Sequence, residues 1–379
     1  MNIGYDATAI PPRLTGAGVY IKELIRALTQ MDRTNRYFVF AQPAHLQDMD
    51  ISYSHVQKIP LEFSSIPKRL LWEQTGLPAL ASSLHLDLLH SPHYTMPLRC
   101  PCKRIVTFHD MTFITMPEVH GRFKRIFFRN MMKHSGSHAD RLLADSESTR
   151  QDMHRILGID LQRIDTAPLA ADDAYRPLAA AETEAHCAVH SLTPGRFLLF
   201  VGVLEPRKNV PALVRAYASV HKKHPDIPLV IAGKKGWMYD EIFAAVQQLG
   251  LTESVRFLGY IPREEQIGLY NGARLFVYPS QYEGFGLPVL EALQCGAPVL
   301  TSNLSSMPEV AGDAALLVSP QDEAGLANAM LQVLEDDHLA AQMKERGLER
   351  ARQFSWQRCA ELTLQAYETA AGVSAALSL

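Results

Sequence analysis

Two carboxylates eight residues apart, Glu283 and Glu291, flank the segment Gly284-Phe285-Gly286-Leu287-Pro288. The apolar run Leu275 to Tyr278 before them reads as a buried parallel strand. Pro288 suits a first helical position and Gly296 a helix stop. The unit is therefore a strand, a glycine-bearing loop and a short helix whose free N–H groups and partial positive charge suit a phosphate. A carboxylate beside such a site is a poor phosphate ligand but a good acceptor for sugar hydroxyls. One glutamate then serves a sugar ring before a diphosphate and the other a ribose after it. The plainer alternative leaves Glu291 favouring the first helical turns and Glu283 as a solvated loop residue.

A second candidate anion site lies at Glu205-Pro206-Arg207-Lys208-Asn209, after the strand-like Phe197–Gly202. Cations at a helix N-terminus oppose its dipole, so their presence calls for a compensating anion. Arg207 offers a fork to phosphate oxygens and Lys208 a point charge. Surface charge at a helix start is the alternative. His109, at the end of the strand-like segment Arg104–His109, occupies the edge where open α/β sheets bind ligands. Its other reading is a histidine satisfied by its neighbour Asp110. Gly16-x-Gly18 opens a helical pattern, but Ile21 stands where a dinucleotide fingerprint needs its third glycine. It fits close approach of a sugar or phosphate better than NAD.

Taken together, Glu283-x7-Glu291 with Gly-Phe-Gly inside it, His109-Asp110, the glycine loop and Arg207-Lys208 resemble the retaining glycosyltransferases of the GT-B fold, family 4. The resemblance covers nearly the whole chain. It implies an α/β architecture of two Rossmann-like domains with parallel sheets facing an interdomain cleft. It also implies that Arg207, Lys208 and the helix N-terminus at Gly286 and Leu287 hold a donor diphosphate. Glu291 then binds ribose, while Glu283 with the backbone of Phe285 and Gly286 holds the transferred sugar. His109 orients that sugar, and the backbone near Tyr260 and Ile261 holds the base. The Arg role falls on Arg207 because Val203 replaces the arginine common elsewhere in the family. Neither a metal nor a cofactor is implied, and Asp48-Met-Asp50 reads as solvated charge.

Glu-Pro-Arg-Lys-Asn resembles bacterial mannosyltransferases of surface polysaccharide synthesis, O-antigen among them. This implies GDP-mannose as donor and an oligosaccharide or lipid-diphosphate-linked acceptor. The alternatives are a GT-B sugar-nucleotide epimerase, or the same transferase class using a UDP- or dTDP-sugar.

The elements that must position these residues alternate strand and helix twice over, the pattern of doubly wound sheets. The expected boundaries are an acceptor-binding domain over 1–175, a linker over 176–195 and a nucleotide-sugar domain over 196–356. A helix over 357–379 is expected to pack back on the first domain. Ser306 and Glu309 form a capping-box pattern, Ser-x-x-Glu. With 379 residues, a net charge of −3, 47% hydrophobic and 20% charged residues, the composition is that of a globular protein with no call for nucleic acid. Five scattered cysteines suggest free thiols, Cys100 and Cys102 included. No signal pattern or membrane-length apolar run is read, so the expected place is cytoplasmic or peripheral at the inner membrane face. The segment 122–134 is basic and amphipathic. It reads either as a helix packed on the sheet with a solvated face or as a contact for anionic membrane lipids or a lipid-diphosphate acceptor.

Overall fold

The computed structural model describes residues 1–11, 16–119 and 121–372. The chain forms two compact units, Met1–Leu169 with the chain from Ser355 on, and Ala170–Phe354. Each is built on one parallel sheet.

In the first unit the strands are β1 (Asn2–Asp6), β2 (Arg36–Ala41), β3 (Val56–Pro60), β4 (Leu88–Ser91), β5 (Lys103–Phe108), β6 (Arg141–Ala144) and β7 (Ile164–Thr166). Their spatial order is β3-β2-β1-β4-β5-β6-β7. The central strands are buried on both faces, as Leu-Leu-His-Ser in β4 and Ile-Val-Thr-Phe in β5 show. The edge strand β3 is only half-buried, and its mixed sequence Val-Gln-Lys-Ile-Pro gave no strand signal. The helix Trp356–Ala371 lies against the helix Gly16–Met31 and against β5, β6 and β7. It buries Tyr367, whose hydroxyl lies 2.7 Å from His90 Nδ1. Residues 373–379 of the expected terminal helix lie outside the described residues.

The second unit repeats the plan with β8 (Leu198–Val201), β9 (Leu229–Ala232), β10 (Val255–Gly259), β11 (Leu275–Tyr278), β12 (Val299–Ser302) and β13 (Leu316–Val318), ordered β10-β9-β8-β11-β12-β13. The stretch 176–195, expected as a linker, instead carries the helix Ala180–Val189. Thr183 and Cys187 of that helix are buried, and a Cβ added to Gly268 would meet His186 at 2.2 Å. Residues before it are tied to the same unit. Arg263 pairs with Asp172 at 2.5 Å, the Tyr175 hydroxyl donates to Gln266, and the Leu178 N–H donates to Asn271. The second unit therefore begins at Ala170, ahead of the expected boundary.

Both strand orders place a topological switch where neighbouring strands leave in opposite directions, between β1 and β4 and between β8 and β11. Ligands of open parallel sheets bind outside the carboxyl ends of the strands at such points. Among the described residues no helix is long and apolar enough to cross a membrane.

Candidate active site

The loops leaving β8 and β11 meet at the switch point of the second sheet. From the β8 side come Glu205, Arg207 and Lys208, the two cations lying in the single 3-10 turn Pro206–Lys208. From the β11 side comes Glu283. Arg207 Nη1 donates to Glu283 Oε2 at 2.6 Å and to the Tyr282 carbonyl at 2.9 Å, while its Nε pairs with Glu205 at 2.5 Å. Lys208 Nζ donates to Glu283 Oε1 at 2.5 Å and to the Tyr278 hydroxyl. Ser280 and Tyr278 hydroxyls also donate to Oε1, at 2.7 and 3.0 Å.

Glu283 is buried. Burial alone would raise its pKa, but Arg207 and Lys208 hold it at about 2. Burial, with Arg207 beside it, lowers the Lys208 pKa against the pull of Glu283. Two cations and two carboxylates thus form a balanced cluster. Of the three N–H groups of the Lys208 ammonium, Glu283 and Tyr278 take two.

The helix Leu287–Cys295 starts beside this cluster. Val289 and Leu290 N–H donate to the Gly286 carbonyl at 3.0 and 3.3 Å and Pro288 has no N–H, so the groups that the helix start offers to a ligand are the N–H of Gly286 and of Leu287. The loop is held shut by serines. Ser306 Oγ donates to the Phe285 and Glu283 carbonyls at 2.7 and 3.0 Å, and Ser305 Oγ donates to Glu283 O at 2.5 Å. The Ser306 side chain therefore does not cap the helix Met307–Ala311, so the hydroxyl half of the expected capping box does not form. The loop carbonyls take the hydroxyl that the local pattern assigned to a helix end. Gly286 sits at φ +110°, and a Cβ there would lie 2.2 Å from Met307 Cε, so only glycine fits this turn without a shift.

Glu291, in the second turn of that helix, is half-buried. Burial raises its carboxyl pKa to about 7, against hydrogen bonds from Tyr270 and Tyr175. The Tyr270 hydroxyl reaches it at 3.3 Å. Following β10, Ile261 is buried whereas Tyr260 is 77% exposed, after a left-handed turn at Gly259. The structure thus brings Arg207, Lys208 and Glu283 into direct contact and sets Phe285, Gly286, Leu287 and Glu291 on the adjoining loop and helix.

In the first unit, His109 follows β5 and Asp145 follows β6. The register Phe108↔Ala144 makes them neighbours across the sheet. His109 Nδ1 lies 2.7 Å from Asp145 Oδ2, and Nε2 lies 2.9 Å from the Pro92 carbonyl. A carbonyl only accepts, so Nε2 carries a proton. Burial alone would lower the imidazole pKa, but Asp145 raises it. The partner is Asp145, not the neighbouring Asp110, which instead caps Thr112 at 2.9 Å. No local sequence signal joins Asp145 to His109, which stands 36 residues earlier; Asp145 follows one strand and precedes a helix start at Ser146. Ser146 does cap the helix Glu147–Leu157 there, accepting from Thr149 N. Gly16 and Gly18 fall in the first turn of the helix Gly16–Met31 rather than in a loop, and Pro12–Thr15 before them lie outside the described residues. Asp48 and Asp50 are exposed, and all five cysteines are free thiols.

Comparison with known proteins agrees with this geometry. Residues 14–175 match the family described as Glycosyltransferase Family 4, and residues 184–350 match Glycosyl transferases group 1. The chain is 36% identical over 282 residues to O-antigen chain mannosyltransferase B of Escherichia coli, covering 74% of each. It is 29% identical over 289 residues to the serotype-specific mannosyltransferase WbdA of Escherichia coli, spanning 73% of this chain but only 35% of that relative. Among solved structures, sucrose-phosphate synthase from Thermosynechococcus elongatus superposes with a TM-score of 0.76 at 23% identity, covering 98% of this chain and 100% of that one. The two family matches fall on the two units in turn, and the chain belongs to the family 4 glycosyltransferases of the GT-B fold.

Proposed function

We propose that the protein is a retaining, metal-independent mannosyltransferase that moves mannose from GDP-mannose to a growing glycan on a lipid-diphosphate carrier, in bacterial surface polysaccharide synthesis. The observation that carries the donor site is the Arg207–Lys208–Glu283 cluster at the switch point beside a helix N-terminus. The choice of mannose is supported by the 36% identity to a protein named for that transfer.

In this reading the diphosphate takes the third N–H of Lys208, which has no partner among the described residues, the Arg207 guanidinium and the backbone N–H groups of Gly286 and Leu287. Such preorganised donors stabilise charge developing on a leaving group. As the diphosphate draws Lys208 toward it, Glu283 Oε1 is released to accept a hydroxyl of the transferred sugar, helped by the backbone of Phe285. Glu283 therefore both aims the cations and receives the sugar. Glu291 accepts the ribose hydroxyls, and the backbone at Tyr260 and Ile261 holds the base. Both ring nitrogens of His109 are engaged by its own chain at short distances, whereas Thr149 Oγ1 reaches its backbone carbonyl at 3.5 Å, so we assign to that carbonyl the orienting of the sugar. The acceptor oxygen attacks the anomeric carbon on the face from which the diphosphate leaves. The carbon–phosphate oxygen bond breaks, and that oxygen takes the acceptor's proton.

Titration calorimetry against GDP, UDP, dTDP, ADP and NAD without metal tests the donor, followed by mannose transfer from GDP-mannose. Selective GDP binding with transfer that keeps the anomeric configuration is expected. Preference for UDP or dTDP would replace the donor, and inversion would remove the same-face mechanism.

A further inference from the structure

Two cysteines separated by one residue stand just ahead of β5, in Leu98-Arg99-Cys100-Pro101-Cys102-Lys103-Arg104. In an extended strand, side chains two residues apart share a face but stand about 7 Å apart, twice the rise per residue. Here the chain bends at Pro101 and Cys102, and the two sulfurs lie 3.3 Å apart. Pro101 fixes its own φ, so few conformers separate the thiols once the bend has formed. Both cysteines are half-buried and rest on the core cluster of Phe38, Phe40 and Leu89, whereas Arg99, Pro101 and Lys103 around them are exposed. The pair is therefore held on one side and reachable from the other.

The two thiols are not equivalent. Hydrogen bonds from the Cys102 thiol and N–H, with the Arg104 charge nearby, hold Cys100 at about 7 against burial. The same contact pushes Cys102 up. Arg104 is fixed in place by donating to the Leu98 and His138 carbonyls at 3.3 and 2.8 Å. Cys100 is thus the thiolate near neutral pH, and Cys102 keeps its proton. The other three cysteines differ on both counts: Cys187, Cys295 and Cys359 are buried, and burial raises each of their thiols. Among the described residues no third histidine, cysteine, aspartate or glutamate joins Cys100 and Cys102 to hold a metal ion. Two-electron exchange is the chemistry left to the pair.

We propose that Cys100 and Cys102 form a self-resolving thiol site, which exchanges with low-molecular-weight disulfides and closes reversibly into a Cys100–Cys102 disulfide. The Cys100 thiolate attacks one sulfur of the small disulfide, whose S–S bond breaks and whose other half leaves as a thiolate. Cys102 then loses its proton and attacks Cys100 Sγ, so the mixed S–S bond breaks and the first half leaves as well. The two cysteines give up two electrons and two protons, and the small disulfide takes them up as two thiols. The neighbouring Cys102 therefore keeps an adduct on Cys100 from persisting. Cys102 adjoins the start of β5 and His109 follows its end, a span of about 20 Å. The inference goes beyond the donor reading and uses none of its residues.

The test exposes the full chain, reduced and freed of reductant, to oxidised glutathione near neutral pH, and follows intact and peptide masses. The wild type is expected to lose two hydrogens, mapped to the peptide holding Cys100 and Cys102, with no lasting glutathione adduct. Dithiothreitol should restore them, and the three buried cysteines should stay unmodified while the protein is folded. Cys102→Ser keeps a hydroxyl donor beside Cys100 but cannot resolve, so the glutathione adduct should accumulate on Cys100. Cys100→Ser should react about three- to fivefold more slowly, since its thiolate fraction falls more than its nucleophilicity rises. A lasting adduct on the wild type, or no reaction at either thiol, would overturn the proposal. So would a Cys102→Ser protein that accumulates no adduct, or a Cys100→Ser protein that reacts as fast as the wild type. The wild-type masses decide without any variant, and melting temperatures check that both variants fold.

Discussion

His109 and Asp145 are joined at 2.7 Å across adjacent strand ends, and Pro92 engages the far ring nitrogen at 2.9 Å. The ring is thereby fixed from both sides. With Nε2 bound to hydrogen, the proton in the Nδ1–Oδ2 contact belongs to the pair. Asp145→Asn keeps the shape but removes the charge that supports the imidazolium. The His109 pKa should then fall, because burial, the largest influence on it, is left opposed only by Asp110 and the Pro92 carbonyl. Ring resonances followed by NMR from pH 5 to 9 check this, and an unchanged titration would show that Asp145 does not control the ring. For stability the sign follows from the raised folded pKa in the wild type. The contribution is full below 6.5 and is lost as pH rises through the folded value.

Glu283 has the opposite sign. Its folded pKa of about 2 lies below the ordinary 4.5, so its stabilisation is present above 4.5 and lost as pH falls toward 2. Glu283→Gln leaves Arg207 and Lys208 with only Glu205 to balance them, and should cost about 3 kcal/mol near neutral pH. Urea unfolding at pH 7 and pH 3 checks it. The gap between wild type and variant should narrow at the lower pH. A gap that is constant across this range would mean that the ion pairs do not stabilise the fold.

The contrast between these two carboxylates shows what the chain alone makes legible. Tyr278, Glu283, Gly286, Pro288 and Glu291 lie in one stretch, so the strand, loop and helix around them can be read locally. Arg207 and Lys208 are also visible as cations after a strand. Their direct pairing with Glu283 depends on two loops more than 70 residues apart meeting at one switch point, and no local pattern encodes that. Asp145 is hidden for the same reason, since only the β5–β6 register places it beside His109. Ser306 misleads because a hydroxyl can satisfy either a helix end or a loop carbonyl, and the tertiary fold supplies the carbonyls.

Gly286→Ala tests the turn that aims the helix N-terminus. The alanine must adopt φ near +110° and push Met307 aside, at a cost of about 1–2 kcal/mol. The loss should be larger in nucleoside diphosphate affinity than in melting temperature, since the strain can be relieved by moving the loop. Calorimetry and thermal unfolding on one preparation separate the two. Full affinity with a lowered melting point would show that the helix N-terminus is not a ligand.

Glu291 provides the sharpest pH dependence. Its carboxyl titrates near 7 in the free protein because burial disfavours its charge. Folded stability therefore gains from this group below 4.5 and loses that gain as pH rises through about 7. Ribose binding works the other way, because a carboxylate can accept from two hydroxyls while a protonated carboxyl spends one oxygen as a donor. Nucleotide affinity should thus rise between pH 6 and 8 and level off above, with a slope approaching tenfold per pH unit at its lower end. Glu291→Gln should flatten that profile and bind roughly 1–3 kcal/mol more weakly at pH 8. The corresponding 2′-deoxynucleotide should show a smaller wild-type slope than the ribonucleotide. If both nucleotides follow the same curve in wild type and variant alike, Glu291 does not touch the ribose, and its raised pKa reflects only burial against Tyr270 and Tyr175.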